Sequence, residues 1–413
     1  MLDGLLEKHI RNGTLRIEHA GGPVVEYGNG SPHALLRLTH PKAERRILKD
    51  PEYELGATYV DGLWETPDLA ALLELLYRNF RSYALPPLTL FGRLARLLRQ
   101  WNRQVAARRH VAHHYDLDEW LFRQFLDRDL HYSCAYFYGP DMGLEAAQQA
   151  KCAHLARKLA LRPGQEVLDI GCGWGSLALY LARHHDVRVT GVTLSKEQWR
   201  VANERAQAQG LTGQARFLYE DYREHRGRYQ RVVSVGMFEH VGLPNYPVFF
   251  DRVANLLEPG HGIAVLHHIG RPGPPGTTNA WIRRHVFPGG YNPSLSEVLA
   301  PIERSGLWTT DIEVWRLHYR DTLKEWGRRF QKARTEAVAR KGERFARLWE
   351  FYLAACEAAF AVGQLVVFQH QLANTLEAVP LTRDYLYTTP ADRGQPEDRS
   401  VARKSPPGPR RVR

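Results

Sequence analysis

The stretch from residue 131 to residue 139 reads HYSCAYFYG and sets one cysteine, Cys134, among aromatic side chains. The 413-residue chain has four cysteines, too few for a disulfide scaffold and not in the C-x-x-C spacing of a metal site. Such sparse cysteines suit a reducing cytoplasm. Cys134 is therefore either an inert buried cysteine or a small group within a site that needs aromatic surroundings.

A second candidate site is the glycine-rich loop in EVLDIGCGWGSLALYLA. An apolar strand leads into Gly171, Gly173 and Gly175, and an amphipathic helix follows, which is typical of a cofactor site at the carboxyl edge of a parallel sheet. A dinucleotide fingerprint would need a third glycine where Ser176 stands, so the spacing disfavours NAD and FAD. Asp169 before the loop suits a ligand with a positive ammonium and no pyrophosphate, such as S-adenosylmethionine.

The elements around this loop alternate between strand-like and helix-like runs. In chain order these runs are QEVLDIG, LALYLARHH, RVTGVTLS, KEQWRVANERAQAQG, ARFLYED, YQRVVSVG, YPVFFDRVANLLEPG and GIAVLHHIG. The alternation predicts right-handed βαβ units and a parallel sheet, that is, an α/β Rossmann-like fold. Ahead of it, a small α+β domain is predicted from a helical pattern, DLAALLELLYRNF, and from the β-like runs TLRIEH, PVVEYG, HALLRLTH and ATYVDGLWET.

Seven motifs together resemble the cyclopropane fatty acid synthase and mycolic acid methyltransferase family: YSCAYF, GCGWGS, TLSKEQ, GMFEHVG, HHIG, HYRDTL and YLAACEAAF. The resemblance runs from the leading domain to about Tyr387. It implies a class I S-adenosylmethionine-dependent methyltransferase fold and an enzyme, of the methyltransferase class, that acts on double bonds in long acyl chains. The fold class expected is therefore α/β, with a small N-terminal α+β domain.

The resemblance also completes the predicted cofactor site. The family's T-L-S-x-x-Q turn takes the place of the acid that usually binds the ribose hydroxyls, and a carboxylate after the third strand can accept the adenine amino hydrogens. Alternatively, these polar residues only cap helices. The predicted cofactor-binding residues are Tyr132, Ser133, Asp169, Gly171, Cys172, Gly173, Trp174, Gly175, Ser176, Thr193, Leu194, Ser195, Gln198, Glu220 and Asp221.

The family's reaction implies a carbocation, formed when a cis double bond attacks the sulfonium methyl group. Aromatic faces attract positive charge without capturing it, and Tyr136, Phe137 and Tyr319 are the candidates for this lining. Closing a ring then needs a base, and the family holds a bicarbonate ion for this purpose. Carried over motif by motif, its ligands fall on Cys134, Glu239, His267, Ile269 and Tyr319.

Plainer interpretations stay open for several of these residues. Glu239 and His240 can be a surface pair, and the H-x-I-G spacing alone selects His267 over His268. Cys356 lies on an apolar helical pattern where a structural cysteine is the default, although the family motif also suggests a role in activity. Glu239 and His267 both follow predicted strands, so they can meet at the sheet edge that holds the cofactor. No metal site is predicted.

Composition bounds the partners. The net charge of +11 favours an anionic partner, and no run of about 18 apolar residues could span a bilayer. Charged residues near the N-terminus disfavour a signal peptide. We therefore expect a cytoplasmic protein, peripherally associated with the inner face of the cell membrane. The resemblance implies unsaturated phospholipid as substrate and S-adenosylmethionine and bicarbonate as cofactors. A homodimer stays open.

A basic stretch supports the membrane expectation. Residues 78–115 contain eight arginines and no acidic residue, with apolar residues at helical spacing from Phe91 to Val105. The stretch is either a linker helix packed on a core or a helix that faces anionic lipid. We expect a leading membrane-associated domain with this helix (residues 1–105), a catalytic domain (106–388) and a disordered basic tail (389–413).

Three other functions compete with ring formation on phospholipids. A methyltransferase that leaves a methyl branch shares the fold, but it must reduce or hydrate the cation, whereas the bicarbonate ligands favour ring closure. A nucleic-acid methyltransferase would want an N/D-P-P-Y/F motif where this chain reads GMFEHVG, so no nucleic-acid partner is expected. A noncatalytic lipid-binding protein would have no need of the glycine loop or Glu239.

Overall fold

Two β-sheets organise the part of the chain that the computed structural model describes, residues 2–80 and 119–387. The basic stretch beyond residue 80, the expected domain boundary after residue 105 and the tail from residue 389 lie outside these residues. The described residues up to Val379 form one compact unit. Residues 380–387 belong to another and contain a short 3₁₀ turn, Arg383–Leu386.

The leading part of the chain contains a four-stranded sheet with the order β2-β1-β3-β4. Strand β1 pairs parallel with β3 and antiparallel with β2, and β3 pairs antiparallel with β4. The strands are β1 (Gly13–Glu18), β2 (Val24–Asn29), β3 (His33–Leu38) and β4 (Trp64–Glu65). The helices are α1 (Leu2–His9), α2 (Lys42–Lys49), α3 (Pro51–Val60) and α4 (Leu69–Asn79).

One prediction for this part is wrong. The run ATYVDGLWET was expected to be β-like, but its first residues belong to α3 and only Trp64–Glu65 pairs as a strand. The helix begins before the run does, because the Asp50 side chain accepts a hydrogen bond from the backbone N–H of Tyr53 at 3.2 Å and Pro51 occupies the first turn. These start signals outweigh the β-branched residues that follow.

The second sheet has seven strands in the order β10-β11-β9-β8-β5-β6-β7. The strands from β9 to β7 pair parallel, as predicted, whereas β11 pairs antiparallel with both of its neighbours. Strands β6 and β7 follow on one side of β5, and strands β8 and β9 follow on its other side, so the strand order reverses between β5 and β8. The strands are β5 (Glu166–Ile170), β6 (Arg188–Thr193), β7 (Ala215–Tyr219), β8 (Arg231–Val235), β9 (Ile263–Gly270), β10 (Trp308–Trp315) and β11 (Val366–Ala373).

Nine α-helices accompany this sheet within residues 119–387. They are α5 (Glu119–Phe125), α6 (Leu144–Lys158), α7 (Ser176–His185), α8 (Lys196–Ala208), α9 (Tyr246–Leu256), α10 (Ala280–His285), α11 (Leu295–Arg304), α12 (His318–Lys341) and α13 (Glu343–Ala361). In the described residues, each helix is too short or too polar to span a bilayer.

Helix α13 packs against the leading part of the chain at close range. A Cβ atom added to Gly56 on α3 would lie 2.6 Å from Phe351 and 2.8 Å from Trp281, so only glycine fits without rearrangement. Nearby, the Tyr59 hydroxyl donates to Glu350 at 3.3 Å, which is also a buried contact. The two sheets therefore share a continuous apolar core through α13.

Candidate active site

A cleft opens at the carboxyl edge of the parallel strands, where β5, β6 and β8 end. The cleft is open to solvent at its mouth, and its walls combine backbone of the glycine loop with polar and apolar side chains. Most of the predicted cofactor residues line it: Tyr132, Ser133, Asp169, Gly171, Cys172, Gly173, Trp174, Ser176, Thr193, Leu194, Gln198 and Glu220.

Three predicted cofactor residues do not line this cleft. Gly175 allows helix α7 to approach β7, since a Cβ there would lie 2.8 Å from the Phe217 ring. Ser195 caps helix α8 by accepting a hydrogen bond from the Gln198 N–H at 3.2 Å, as the capping interpretation allowed. Asp221 is buried against Arg223, which donates to it from Nε at 2.9 Å and from Nη2 at 2.6 Å. Asp221 does not line the cleft, whereas Glu220 does, with its Oε2 atom 3.0 Å from His225 Nδ1, so Glu220 is the better candidate for the adenine.

The glycine loop turns in the left-handed backbone region. Gly171 has φ +81° and Gly173 has φ +54°, which L side chains rarely adopt. A Cβ at Gly171 would lie 2.6 Å from Met237, whereas a Cβ at Gly173 would meet no atom within 4 Å. Gly173 thus leaves open space in the wall of the cleft, where a ligand can approach the backbone.

Asp169 also lines the cleft, and this acidic residue is buried, with only 2% of its surface exposed. Burial raises its pKa to about 7, and the positive charge of Lys151 opposes that rise. A ligand ammonium beside Asp169 would further favour the ionised form. This environment fits the positively charged amino group of S-adenosylmethionine.

The segment containing Cys134 has no regular secondary structure and is held by side chains from two helices. From α6, Gln148 donates to the Ser133 carbonyl and Lys151 donates to the Ser133 hydroxyl, each at 3.0 Å. From α12, the Thr322 hydroxyl accepts from the Ala135 N–H at 3.0 Å. These contacts fix the backbone on both sides of Cys134.

Cys134 itself is fully buried, and its thiol donates to the Ala135 carbonyl at 3.3 Å. Burial raises the pKa of the thiol well above its usual range, so the group is a neutral thiol and not a nucleophilic thiolate. Cys356 on α13 is half-buried, and burial raises its pKa to about 12. Neither cysteine has the environment of an activated nucleophile.

Glu239, Ile269 and His267 lie together at the carboxyl edge. Glu239 lies in the 3₁₀ turn Phe238–His240 that follows β8, and His267 is paired with Val235, the last residue of β8. His267 therefore lies within β9 and not at its end, yet the register still brings it to the edge. The Ile269 N–H donates to Glu239 Oε1 at 2.6 Å. This hydrogen bond connects the turn after β8 to the end of β9.

The Glu239 carboxyl group is 7% exposed, and burial raises its pKa to about 7. Its Oε2 atom has no hydrogen-bond partner in the described part of the chain. The surface-pair interpretation of Glu239 and His240 is therefore wrong for Glu239. A buried carboxyl oxygen without a partner is costly unless it serves a ligand.

The two adjacent histidines of β9 point to different neighbours. The Gln369 amide donates to His267 Nδ1 at 3.0 Å, and burial lowers the His267 pKa well below its usual value. His267 is therefore neutral, with its hydrogen on Nε2, and can donate from that atom. His268 instead stacks on His370 with ring centres 5.2 Å apart. His267, which the H-x-I-G spacing selects, therefore stays the predicted anion ligand of the two.

Tyr319 on α12 is buried among aromatic rings, with Phe360 at 4.7 Å and Trp326 at 5.8 Å between ring centres. Burial raises its pKa, and the charges of Tyr132, Cys134, Glu239 and Cys356 add to the rise, which indicates that these groups surround it. Tyr319 therefore lies near two of the predicted anion ligands, Cys134 and Glu239, and near Tyr132 of the cleft wall.

Of the other two predicted aromatic residues, Tyr136 does not fit a cation lining. Its ring stacks on His154 at 4.9 Å and on His318 at 4.6 Å, so its faces are already covered. Phe137 is half-buried, and its backbone N–H donates to His318 Nδ1 at 3.1 Å. The aromatic wall near Tyr319 is built instead by residues that the motifs did not single out, among them Trp326 and Phe360.

The sequence analysis also missed residues that line the cleft. Lys151, His131, Met237, Tyr222, Arg223 and His240 contribute to its walls. Lys151 could have been noticed, because it lies four residues from both Ala147 and Leu155 and thus on the buried face of α6. A lysine on such a face is unusual enough to indicate a site.

Comparisons with known proteins agree with this geometry. Residues 102–370 match the model of the family described as mycolic acid cyclopropane synthetase. The chain is 38% identical to the cyclopropane-fatty-acyl-phospholipid synthase of Escherichia coli K12, over 84% of this chain and 90% of that protein. It is 41% identical to a probable fatty acid methyltransferase of Pseudomonas putida, over 67% and 73% of the two chains. The crystal structure of the mycolic acid cyclopropane synthase CmaA1 complexed with SAH and CTAB superposes with a TM-score of 0.61 at 33% identity, covering 64% of this chain and 97% of that one.

Proposed function

The chain belongs to the mycolic acid cyclopropane synthetase family, and from that membership we propose that it forms cyclopropane rings on the cis double bonds of unsaturated acyl chains in membrane phospholipids. It is an S-adenosylmethionine-dependent methyltransferase with a Rossmann-like fold. The phospholipid substrate is supported by the name of the E. coli relative, a cyclopropane-fatty-acyl-phospholipid synthase.

The cofactor would lie in the cleft at the edge of the parallel strands. When bound, S-adenosylmethionine would supply a methyl group on a positively charged sulfur. The double bond would attack the methyl carbon, and the sulfur would leave as a neutral thioether. Gly173 leaves space for the close approach of the ligand, Asp169 suits its ammonium, and Glu220 after β7 suits the adenine amino group. Thr193 and Gln198 stand at the predicted ribose position, where the Thr193 hydroxyl donates to Gln198 Oε1 at 3.1 Å.

The observation that carries the proposal is the buried Glu239 carboxyl group beside the cleft. Bicarbonate offers both a hydroxyl donor and acceptor oxygens, so it can use the Glu239 oxygen that has no partner. In this proposal His267 Nε2–H donates to the same anion, and the neutral Cys134 thiol is a further ligand. In this proposal the bound anion removes one proton from the transferred methyl group, and the ring closes.

The surroundings of Tyr319 support the cationic step that precedes proton loss. Ring faces there attract positive charge, and burial keeps the Tyr319 hydroxyl protonated, so it is a poor nucleophile toward a carbocation. Trp326 and Phe360 extend the same wall. The arrangement suits an apolar acyl chain entering from the aromatic side while the cofactor occupies the cleft.

A second candidate function is a fatty-acyl methyltransferase that leaves a methyl branch. The Pseudomonas putida relative, a probable fatty acid methyltransferase, favours it. Such an enzyme would have to reduce or hydrate the cation, and would not need a base held beside Glu239 to remove a proton from the methyl group. The predicted anion ligands therefore favour ring closure.

Lipid analysis tests both candidates. The chain is expressed in a host without cyclopropane lipids, with Glu239→Ala as the matched variant, and phospholipid acyl chains are analysed by mass spectrometry. We expect one additional CH₂ per modified unsaturated chain, resistant to mild hydrogenation as a ring, and little of it with the variant. A product that hydrogenates as an alkene, or a saturated methyl branch, would establish the second candidate. Unchanged lipids would count against both.

Association with the inner face of the cell membrane belongs to this proposal as well. Its support is the acid-free run of arginines in residues 78–115, most of which lies outside the described residues. Each arginine near an anionic surface contributes about 1 kcal/mol. Peripheral binding would let an acyl chain slide into the protein without full extraction of the lipid.

A further inference from the structure

Lys151 lies on helix α6 with its side chain directed to the cofactor cleft, which it lines. The residue is only 1% exposed. Its ammonium donates to the Ser133 hydroxyl at 3.0 Å, and it has no carboxylate within 4.0 Å in the described part of the chain. A buried ammonium has three hydrogens to donate, and one hydroxyl does not balance its charge.

The other buried lysine of α6 shows the contrast. Lys158 forms ion pairs with Glu313 at 2.7 Å and with Asp311 at 3.6 Å, so its charge is balanced within the protein. Lys158 lies two helical turns from Lys151 and does not line the cleft. The buried lysine that faces the cleft is thus the one left without a carboxylate.

The cleft also carries a buried group of opposite sign. Asp169 lines it, and the charges of Asp169 and Lys151 act on each other, although they form no ion pair. Asp127 is the other carboxylate whose charge acts on Lys151. Burial lowers the pKa of Lys151 and these groups oppose that shift. A ligand carboxylate near Nζ would oppose it more strongly.

We propose that Lys151 binds the carboxylate of the methionine part of S-adenosylmethionine, while Asp169 takes the ammonium of the same zwitterion. The inference rests on the cofactor assignment in the proposed function and adds the residue that recognises the amino-acid end. The tether to Ser133 keeps the ammonium at the cleft wall. It also links occupation of the cleft to the segment that carries Cys134.

Two ligands that differ only in this carboxylate test the inference by calorimetry, without lipid and without turnover. S-adenosylmethionine has the carboxylate, and decarboxylated S-adenosylmethionine lacks it. Lys151→Gln, which can still reach Ser133 but carries no charge, should bind S-adenosylmethionine about ten- to a hundredfold more weakly than the parent. Its affinity for the decarboxylated ligand should stay within about twofold of the parent's.

Lys158→Gln is the matched control, since it removes a buried lysine from the same helix. It should lower the melting temperature and leave the ratio of the two affinities unchanged. If Lys151→Gln weakens both ligands equally, Lys151 has only a structural role and the inference is wrong. If it weakens neither, the carboxylate binds elsewhere, and the inference is equally wrong.

The parent protein supplies a test that does not depend on the variant's folding. It should bind S-adenosylmethionine at least about tenfold more tightly than the decarboxylated ligand, and equal affinities would overturn the inference. Should the parent bind neither ligand, the cofactor site of the proposed function fails as a whole. Should it discriminate between them yet leave lipids unmodified, only the proposed lipid chemistry fails.

Discussion

Substitutions at two glycines of the same loop allow ligand binding and packing to be tested separately. Gly173 and Gly175 both have positive φ, +54° and +80°, so an alanine costs about 1–2 kcal/mol of backbone strain at either position. The new methyl group meets no atom within 4 Å at Gly173, whereas at Gly175 it would lie 2.8 Å from Phe217 and 3.0 Å from Ala202. Overpacking of that kind adds about 1–3 kcal/mol. Gly173→Ala should therefore lose about 1–2 kcal/mol of stability, and Gly175→Ala about 2–5 kcal/mol.

The two alanine variants should rank in the opposite order for their loss of cofactor affinity, with the larger loss in Gly173→Ala. The methyl group of Gly173→Ala enters the space where the ligand approaches the backbone, so calorimetric titration with S-adenosylhomocysteine should show weakened binding, and Gly173→Val should weaken it further. Gly175→Ala, once folded, should keep the affinity of the parent. Thermal unfolding of both variants supplies the stability order. Our placement of the cofactor would be refuted by a Gly173→Val variant that binds like the parent. A Gly173→Ala variant that melts below Gly175→Ala would instead refute the packing argument.

Further predictions concern the anion site, the aromatic wall and the basic stretch. Burial raises the Glu239 pKa from 4.5 to about 7, so the stabilising contribution of the neutral acid is fully present below the usual glutamate pKa and is lost as pH rises through 7. Relative to Glu239→Gln, the parent should therefore lose up to about 3 kcal/mol of stability between about pH 5 and about pH 8. Thermal unfolding should show this loss as a melting-temperature difference between the two proteins that falls with pH. A difference that does not change with pH would mean that Glu239 is not a buried titrating acid. Tyr319→Leu should lower kcat on lipid vesicles more than Tyr319→Phe does, since only the leucine removes the ring; equal losses would place the role in the hydroxyl. Changing Arg93, Arg96 and Arg103 together to glutamine should weaken co-sedimentation with anionic vesicles at low ionic strength while S-adenosylhomocysteine binding stays intact, and unaltered sedimentation would exclude these arginines from the membrane face.

The parallel strands could be predicted from the sequence because they are buried on both faces and alternate with helices. Strands β10 and β11 were not predicted, because they come after the part of the chain in which strand-like and helix-like runs alternate. Strand β10, WTTDIEVW, has mixed exposure as an edge strand and shows no clear period. Only pairing with β11, more than 50 residues later, makes it a strand. Such long-range pairing leaves little trace in local sequence.

The site was predictable to the extent that its residues follow strands. Glu239 and His267 could be assigned to one edge from topology alone, but their meeting depends on the register that pairs His267 with Val235. Glu220 and Asp221 are neighbours after one strand, and sequence does not tell which faces the cleft. Arg223 decides it by binding Asp221. Lys151 lay in no motif, since its role depends on how α6 packs against the loop.

The tight contact at Gly56 also has a consequence for how sequences of this kind can diverge. A side chain at this position would collide with Phe351 and Trp281, both large rings. Position 56 can therefore accept alanine or a larger residue only in lineages where both rings have first become smaller. We expect positions 56, 281 and 351 to change together across relatives that retain the leading part of the chain, and positions 281 and 351 to vary independently of each other in relatives that lack it.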